Sequence, residues 1–220
     1  MTDKPQTAPN IPLSLFAGSL LYGGLCVLAG VLGTKIADLG TWPLVGNLAV
    51  ESGIFAFLIL VVLGSATAEL HGAATANRLV RYGFVPLIVS MVLLMVVIHA
   101  VPPAPFWHDQ DAFAHLLGQG ARMQFAGLIS YGTSQTLNVY VFSRMAREQG
   151  GKLLWMRAWL ASLLSQIVDT VIFITISFYG VLELAPLMTG QIIAKLVLST
   201  IMVPPLIYLF VALGKKLDAR

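Results

Sequence analysis

Charged residues are scarce in this chain. They make up only 10% of its 220 residues, whereas hydrophobic residues make up 57%. The mean hydropathy of the sequence is +0.84. These values lie far from the balance of apolar and charged residues that soluble globular domains show. The chain is therefore predicted to be a membrane protein.

Several features of enzymes and metal sites are also missing. Cys26 is the one cysteine, which excludes an intrachain disulfide and a cysteine-based metal site. The sequence has no Gly-rich phosphate loop ending in Lys-Ser or Lys-Thr, so it carries no recognisable ATPase of its own. It also lacks a Gly-x-Ser-x-Gly elbow and a His-Glu-x-x-His pair. We expect neither an enzyme activity nor a cofactor.

Long apolar stretches predict the architecture. A helix needs about 20 residues to cross a hydrocarbon layer roughly 30 Å thick. Six stretches have about this length: 11–32, 48–67, 82–101, 123–142, 158–182 and 189–213. The first exceeds the apolar core of a cleaved signal sequence, so we keep it as a helix of the mature protein. The prediction is an all-α membrane protein, a six-transmembrane-helix bundle that forms one domain over residues 1–220.

The placement of basic residues predicts the orientation of these spans. Lys and Arg in short loops favour the cytoplasmic side of a membrane. With the N-terminus inside, ten of the thirteen basic residues fall in cytoplasmic segments and only Lys35 falls in an outside loop. We therefore expect both termini in the cytoplasm. Because the segments that carry these ten basic residues alternate with the spans, we do not expect the residues to bind nucleic acid.

The connection 102–120 on the predicted outside contains residue types that bind metals. They are His108, Asp109, Asp111 and His115. A Zn-type site is one interpretation, but a solvated loop explains these side chains equally well and is preferred. Prolines at its start favour an extended turn, and residues 112–117 are expected to form a short interfacial helix.

The fifth span carries a carboxylate at bilayer depth. Asp169 lies close to the midpoint between the flanking charges Arg157 and Glu183, which places it near the bilayer centre. Helical spacing aligns it with other residues on one face: Ser162, Gln166, Phe173 and Ser177. Ionisable groups at this depth usually face a cavity or a partner, so Asp169 is a candidate functional residue.

The fourth and sixth spans carry matching polar faces. On the fourth, steps of three and four residues align Gly127, Tyr131, Gln135, Asn138 and Phe142. On the sixth, Gln191, Lys195 and Ser199 recur every four residues, and Pro204 and Pro205 follow. These prolines remove backbone donors and are expected to kink the helix, where they could widen a cavity or act as a hinge.

Two explanations exist for these polar groups. Side chains such as Ser162, Ser199 and Gln191 are expected mainly to hydrogen-bond neighbouring helices. The strong polar groups at similar depth are more numerous than helix association requires, so we predict a cavity between spans four, five and six. These groups are Asp169, Gln166, Gln135 and Asn138. Lys195 is expected either to pair with Asp169 or to extend towards the outer interface.

Two further acids lie near the ends of the second span. Glu51 is expected at the outer boundary, where water can solvate it. Glu69 is expected at the inner boundary, beside Arg78 and Arg81.

Four segments together resemble the queuosine precursor transporter family, which is also grouped with vitamin uptake transporters. The segments are "TKIADLG", "AELHGAATANRLVRYGF", "ARMQFAGLISYGTSQTLNVYVFSRM" and "ASLLSQIVDTVIF". The resemblance covers most of the chain, and the pairing of the last two segments is fairly specific. It differs at Ser65 and Asn138, where the family often has acids, while Glu69, Arg122, Gln135, Gln166 and Asp169 match.

This resemblance implies a multi-pass inner-membrane importer of 7-cyano-7-deazaguanine, 7-aminomethyl-7-deazaguanine or a related deazapurine base. Asp169 is expected to accept hydrogen bonds from the donor edge of the base, and Arg122 is expected to bind its carbonyl or to pair with an acid. Gln166, Gln135 and Asn138 would contact other edges, and Tyr131 or Phe173 would stack on the ring. Glu69 is expected to act in gating or behind the site.

An alternative is a substrate-binding subunit of an energy-coupling-factor importer, which requires partner ATPases. The expected partners are the deazapurine and the lipid bilayer, and the sequence also allows a homodimer.

Overall fold

The computed structural model of the chain describes residues 11–43, 46–149 and 154–219. Within these ranges it leaves out the side chains of residues 135, 136, 138–140, 142–149 and 154–162. The described elements are, in chain order, α1 (Leu13–Leu32), β1 (Ile36–Trp42), β2 (Gly46–Glu51), α2 (Gly53–His71), α3 (Ala73–Ala100), α4 (Gln110–Gln149), α5 (Leu154–Phe178), α6 (Leu184–Ile201) and α7 (Val203–Asp218).

Most of the described chain is helical, which confirms the prediction of a helical membrane protein. Four helices are long and apolar enough to cross a membrane, namely α1, α2, α3 and α6, and residues 163–178 of α5 form a shorter apolar helix. The count of six spans and the cytoplasmic position of both termini stay predictions. The described chain begins and ends on the same side of the bundle, because Ser14 Oγ donates to Asp218 Oδ2 over 2.6 Å.

A β-hairpin that hydropathy does not predict lies between the first two helices. Strands β1 and β2 pair antiparallel, with Ile36 opposite Glu51 and Trp42 opposite Gly46. Leu48 and Val50 on β2 are each only 1% exposed. The prediction that the second span begins at residue 48 is therefore wrong, since these residues form a strand and the helix begins at Gly53.

The sixth predicted span is divided into two helices. The backbone leaves the α-helix at Met202, and α7 starts at Val203 with prolines in its first turn. Pro204 and Pro205 lack N–H donors and fit best where a helix starts, because its first N–H groups have no intrahelical acceptors. The expected interruption is confirmed, whereas the single continuous helix is wrong. Val203 packs beside Leu58 and Val62 of α2.

The connection 102–120 is more helical than predicted. The helix begins at Gln110 and continues without a break through 40 residues, so the expected short helix at 112–117 is the first part of α4. Trp107 contacts Phe113 edge-to-face, with 5.7 Å between ring centroids. Among the described residues, no cluster of His, Cys, Asp and Glu is arranged to hold a metal ion.

Four apolar clusters pack the described elements together, and two of them join three helices each. The first joins α1, α2 and α3 through residues such as Tyr22, Leu63 and Leu79. The second joins α4, α5 and α6 and includes Ile174 and Phe178. Members of both clusters, Tyr22 and Met123 among them, also line the candidate site.

Candidate functional site

A cavity of about 570 Å³ lies inside the helix bundle. Helices α1 to α6 contribute to its wall, so it extends further than the predicted space between the fourth, fifth and sixth spans. Its wall is mostly apolar, with polar side chains at nine positions that matter here: Glu51, Gln124, Ser130, Tyr131, Ser134, Gln166, Asp169, Gln191 and Lys195. A cavity of this size and character is typical of small-molecule sites.

The Asp169 carboxylate and the Lys195 ammonium form an ion pair in this cavity. Lys195 Nζ lies 2.8 Å from Asp169 Oδ2 and 3.1 Å from Thr170 Oγ1. The Lys195 side chain is 9% exposed, and the Asp169 side chain is 17% exposed. Lys195 is thus the counter-ion of Asp169 and does not extend to the outer interface. The pair has no net charge, which lowers the free-energy cost of burying the two groups inside the bundle.

Both charged groups also contact neutral side chains. Asp169 Oδ1 lies 3.4 Å from Ser134 Oγ, a long hydrogen bond that a ligand could replace. Lys195 Nζ lies 5.1 Å from the centre of the Phe57 ring, within cation–π range. The cavity therefore offers an acceptor and a donor next to each other.

Aromatic rings and an amide surround the ion pair. Tyr131 packs on Phe84 with 5.1 Å between ring centroids and an interplanar angle of 54°. Both rings line the cavity, as do Phe173 and Gln166. The structure thus brings Tyr131, Gln166, Asp169, Phe173 and Lys195 to one cavity. The predicted site residues Gln135 and Asn138 lie outside the described side chains.

Arg122 and Glu69 are not among the residues that line the cavity. Arg122 donates from Nε to the Ile176 carbonyl over 2.6 Å and from Nη2 to the Tyr179 carbonyl over 2.9 Å. It thereby satisfies carbonyls at the C-terminal end of α5, where a cation is also favoured by the helix dipole. Glu69 is exposed near the end of α2. Direct contact with a ligand in this cavity is therefore not assigned to either residue.

Glu51 lies inside the protein, and the prediction that water solvates it at the outer boundary is wrong. It is 5% exposed and lines the cavity. Its Oε1 accepts from Gln191 Nε2 over 2.9 Å, and its Oε2 accepts from the Gly53 amide over 2.7 Å. Burial raises the pKa of the Glu51 carboxyl. The helical step of four residues between Gln191 and Lys195 was the sequence signal that this face of α6 looks into the cavity.

The two ends of the cavity differ. At the hairpin end its lining residues are buried, with Gln191 1% exposed and Met123 2% exposed. At the corner between α2 and α3, the lining residues Ala73 and Asn77 are exposed. Within the described chain, the cavity is thus closed near Glu51 and open towards this corner.

A family model described as "Putative vitamin uptake transporter" matches residues 51–210. The chain belongs to this family. It is also 32% identical over 114 residues to a protein named "Probable queuosine precursor transporter" from Bacillus subtilis (strain 168). That match covers 51% of this chain and 49% of the relative, so it spans about half the length of either protein. No solved structure matches the chain.

Membership of the vitamin uptake transporter family confirms the resemblance found in the sequence and makes the chain a multi-pass membrane protein of a transporter family. The matched residues 51–210 include Glu51, Asp169 and Lys195, and therefore both carboxylates described in the cavity. Helix α1 lies outside the match, although Tyr22 and Cys26 on it also line the cavity.

Proposed function

We propose that the chain imports queuosine precursors across the inner membrane of the cell. The substrate would be 7-cyano-7-deazaguanine, 7-aminomethyl-7-deazaguanine or a related deazapurine base. The observation that carries this proposal is the Asp169–Lys195 pair, with 2.8 Å between Nζ and Oδ2, in a cavity of about 570 Å³. Family membership and the name of the Bacillus subtilis relative support the substrate class. Transport is proposed as the whole activity, with no chemical step on the substrate.

The hydrogen-bonding edge of a deazaguanine complements this pair. That edge presents a ring N–H and an exocyclic amine as adjacent donors, beside a carbonyl acceptor. A carboxylate has two oxygens and can accept both donors, while an ammonium donates to the carbonyl. We assign Asp169 to the two donors and Lys195 to the carbonyl, a role that the resemblance had suggested for Arg122. The base would replace the long contact between Ser134 and Asp169.

The remaining contacts follow from the residues beside the pair. Tyr131 and Phe173 line the same cavity and offer ring faces for stacking on a bicyclic base. Gln166 lies one helical turn before Asp169 and has both a donor and an acceptor for the far edge. Gln135 and Asn138 on α4 are retained in the proposal as further polar contacts.

Uptake of a radiolabelled deazaguanine by cells that produce the chain tests this proposal. Asp169→Asn keeps the shape of the side chain but loses the charge, and a charged hydrogen bond contributes about 1.5–3 kcal/mol. We expect uptake to fall by about tenfold or more, and Asp169→Ala to abolish it, with unchanged amounts of protein in the membrane. Asp111→Asn, an exposed carboxylate at the start of α4, is the matched control. Normal uptake by both Asp169 variants would refute the proposal.

The same assay in liposomes separates this function from the subunit alternative. Purified chain reconstituted without any ATPase should still take up the base if it is a transporter by itself. Uptake that appears only when partner ATPases are added would instead assign the chain to an energy-coupling-factor importer.

A further inference from the structure

The cavity holds a second carboxylate whose surroundings differ from those of Asp169. Asp169 has a cation at 2.8 Å, whereas the hydrogen bonds to Glu51 come from neutral groups, the Gln191 amide and the Gly53 backbone. Glu51 is also more deeply buried, at 5% exposure. A buried carboxylate without a close cation is costly, and binding a proton removes that cost.

Glycines and a backbone carbonyl form the pocket around this carboxyl group. A Cβ on Gly53 would lie 2.5 Å from Glu51 Oε2 and 2.5 Å from the Ala29 carbonyl oxygen. A Cβ on Gly33 would lie 2.8 Å from the same Oε2. The carboxyl group thus lies where the end of α1 meets the start of α2, in a space that has no room for a further Cβ atom.

The Gln191 side chain can hydrogen-bond to Glu51 in either protonation state. Its Nε2 donates to the carboxylate, while its Oε1 is buried and has no hydrogen-bond partner among the described atoms. An amide carries a donor and an acceptor on the same carbon, so a rotation of about 180° turns the oxygen towards Glu51. The orphaned oxygen would then accept the O–H of the protonated acid. A buried acceptor without a partner is unusual in a folded protein and calls for such an explanation.

We propose that Glu51 is a proton-binding site of the transport cavity, and that one proton enters the cell with each molecule of base. The proton binds the Glu51 carboxylate from outside, gives the neutral acid hydrogen-bonded to Gln191, and leaves to the cytoplasm through the open end of the cavity. 7-Cyano-7-deazaguanine is neutral, so each cycle with this base moves one positive charge. This inference rests on the proposed transport function and names its coupling ion.

The surroundings of Glu51 contain one charged group that acts on it within the described chain. The neighbours are Ile36 of β1, Ala29 and Gly33 of α1, Met123 of α4, and Gln191 and Lys195 of α6. Lys195 is the cation among them, and it lies closest to Asp169. Burial raises the pKa of the Glu51 carboxyl and outweighs the hydrogen bonds from Gln191 and Gly53 and the attraction of Lys195, so the acid persists to higher pH than in water.

Infrared spectroscopy of the purified chain tests the proton site without any substrate. A protonated carboxyl group gives a carbonyl band that carboxylates lack. We expect such a band at neutral pH, its loss as the pH rises, and its absence in Glu51→Gln. Glu51→Asp should shift the band, which serves as the test if Glu51→Gln does not fold. Glu183→Gln, at an exposed carboxylate, should leave it unchanged. A spectrum without a band that responds to either Glu51 variant would overturn the proposal.

Transport in liposomes tests the coupling. One proton per molecule of 7-cyano-7-deazaguanine, with the membrane potential held at zero, predicts an accumulation ratio of about tenfold for an inward gradient of one pH unit, because one unit is equivalent to a tenfold ratio. Glu51→Gln is expected to reduce that ratio to about one, while Glu183→Gln keeps it. If the wild-type chain takes up the base with no dependence on the gradient, proton coupling is wrong and the transport proposal stands. If it does not take up the base, the transport proposal fails, and the infrared result still decides whether Glu51 binds a proton.

Discussion

The charged side chains in this cavity are stabilised by individual neighbouring residues. Lys195 and Asp169 are stable inside the bundle because each neutralises the other at 2.8 Å, and Thr170 Oγ1 accepts a further hydrogen bond from the ammonium. Removing one member of such a pair leaves the other as a buried charge without a partner, which is more harmful than removing both.

The variant Lys195→Met therefore should be markedly less stable than the wild type. We expect a loss of about 3 kcal/mol, since breaking a buried pair leaves Asp169 uncompensated. Adding Asp169→Asn should recover most of that loss. The measurement is thermal unfolding in detergent, with Lys215→Met on the exposed end of α7 as the control. Equal stability of Lys195→Met and the wild type would contradict the importance of the pair.

At the scale of the elements, the hairpin and α6 fit together through a close backbone contact. A Cβ on Gly190 would overlap the backbone of Ala49, including its carbonyl oxygen. Backbone cannot rotate away as a flexible side chain can, so the strand and the helix would have to separate. The hairpin carries Glu51 at its end, and α6 carries Gln191 and Lys195. Gly190 thus allows Gln191 and Lys195 on α6 to lie close to β2.

We expect Gly190→Ala to destabilise the protein by about 1–3 kcal/mol, the usual cost of forcing extra atoms into a packed site. Gly18→Ala is the matched control, because it also lies in a helix and a Cβ there meets no atom within 4 Å. Alanine is the better helix former, so the control should be neutral or slightly stabilising. Denaturation of both variants in detergent measures this difference. A Gly190→Ala chain as stable as the control would show that the contact can relax.

Apolar runs predicted the helices well but could not separate strand from helix where one run contains both. Leu48 and Val50 precede the apolar helix that starts at Gly53, and hydropathy alone treats them as one segment. Their burial depends on α6, which is about 140 residues away along the chain. The break before Pro204 and Pro205 was predictable, because proline acts locally on the backbone.

The site was predictable to a similar degree. Helical spacing placed Gln166 with Asp169, and Tyr131 on the facing helix, because these relations are local to each helix. The role of Arg122 was not predictable, since its acceptors are the carbonyls of Ile176 and Tyr179 on another helix. Glu51 was misplaced for the same reason as the hairpin that carries it.

At the scale of the whole molecule, the two ends of the cavity differ in exposure. Among the described residues, the lining is buried around Gln191 and exposed beside Asn77 at the α2–α3 corner. The proposed transport requires that the closed end opens in turn, because a site open to one side at a time carries a substrate across without forming a channel.

We expect a cysteine at position 77 to react with a hydrophilic maleimide much faster than one at position 191. The two variants, Asn77→Cys and Gln191→Cys, are made in a Cys26→Ser chain so that each has a single thiol. Mass spectrometry of the labelled protein gives both rates. Faster labelling at position 191 would mean that the molecule in solution is open at the hairpin end.

Equilibrium binding tests the central claim most directly. Isothermal titration would compare 7-cyano-7-deazaguanine with its analogue that lacks the exocyclic amine, in the wild-type chain and in Asp169→Asn. If the Asp169 carboxylate accepts from that amine, the wild type should prefer the complete base by about tenfold or more, as expected for a hydrogen bond to a charged group. Asp169→Asn should lose most of that preference. Equal preferences in the two proteins, or no binding by the wild type, would contradict the account.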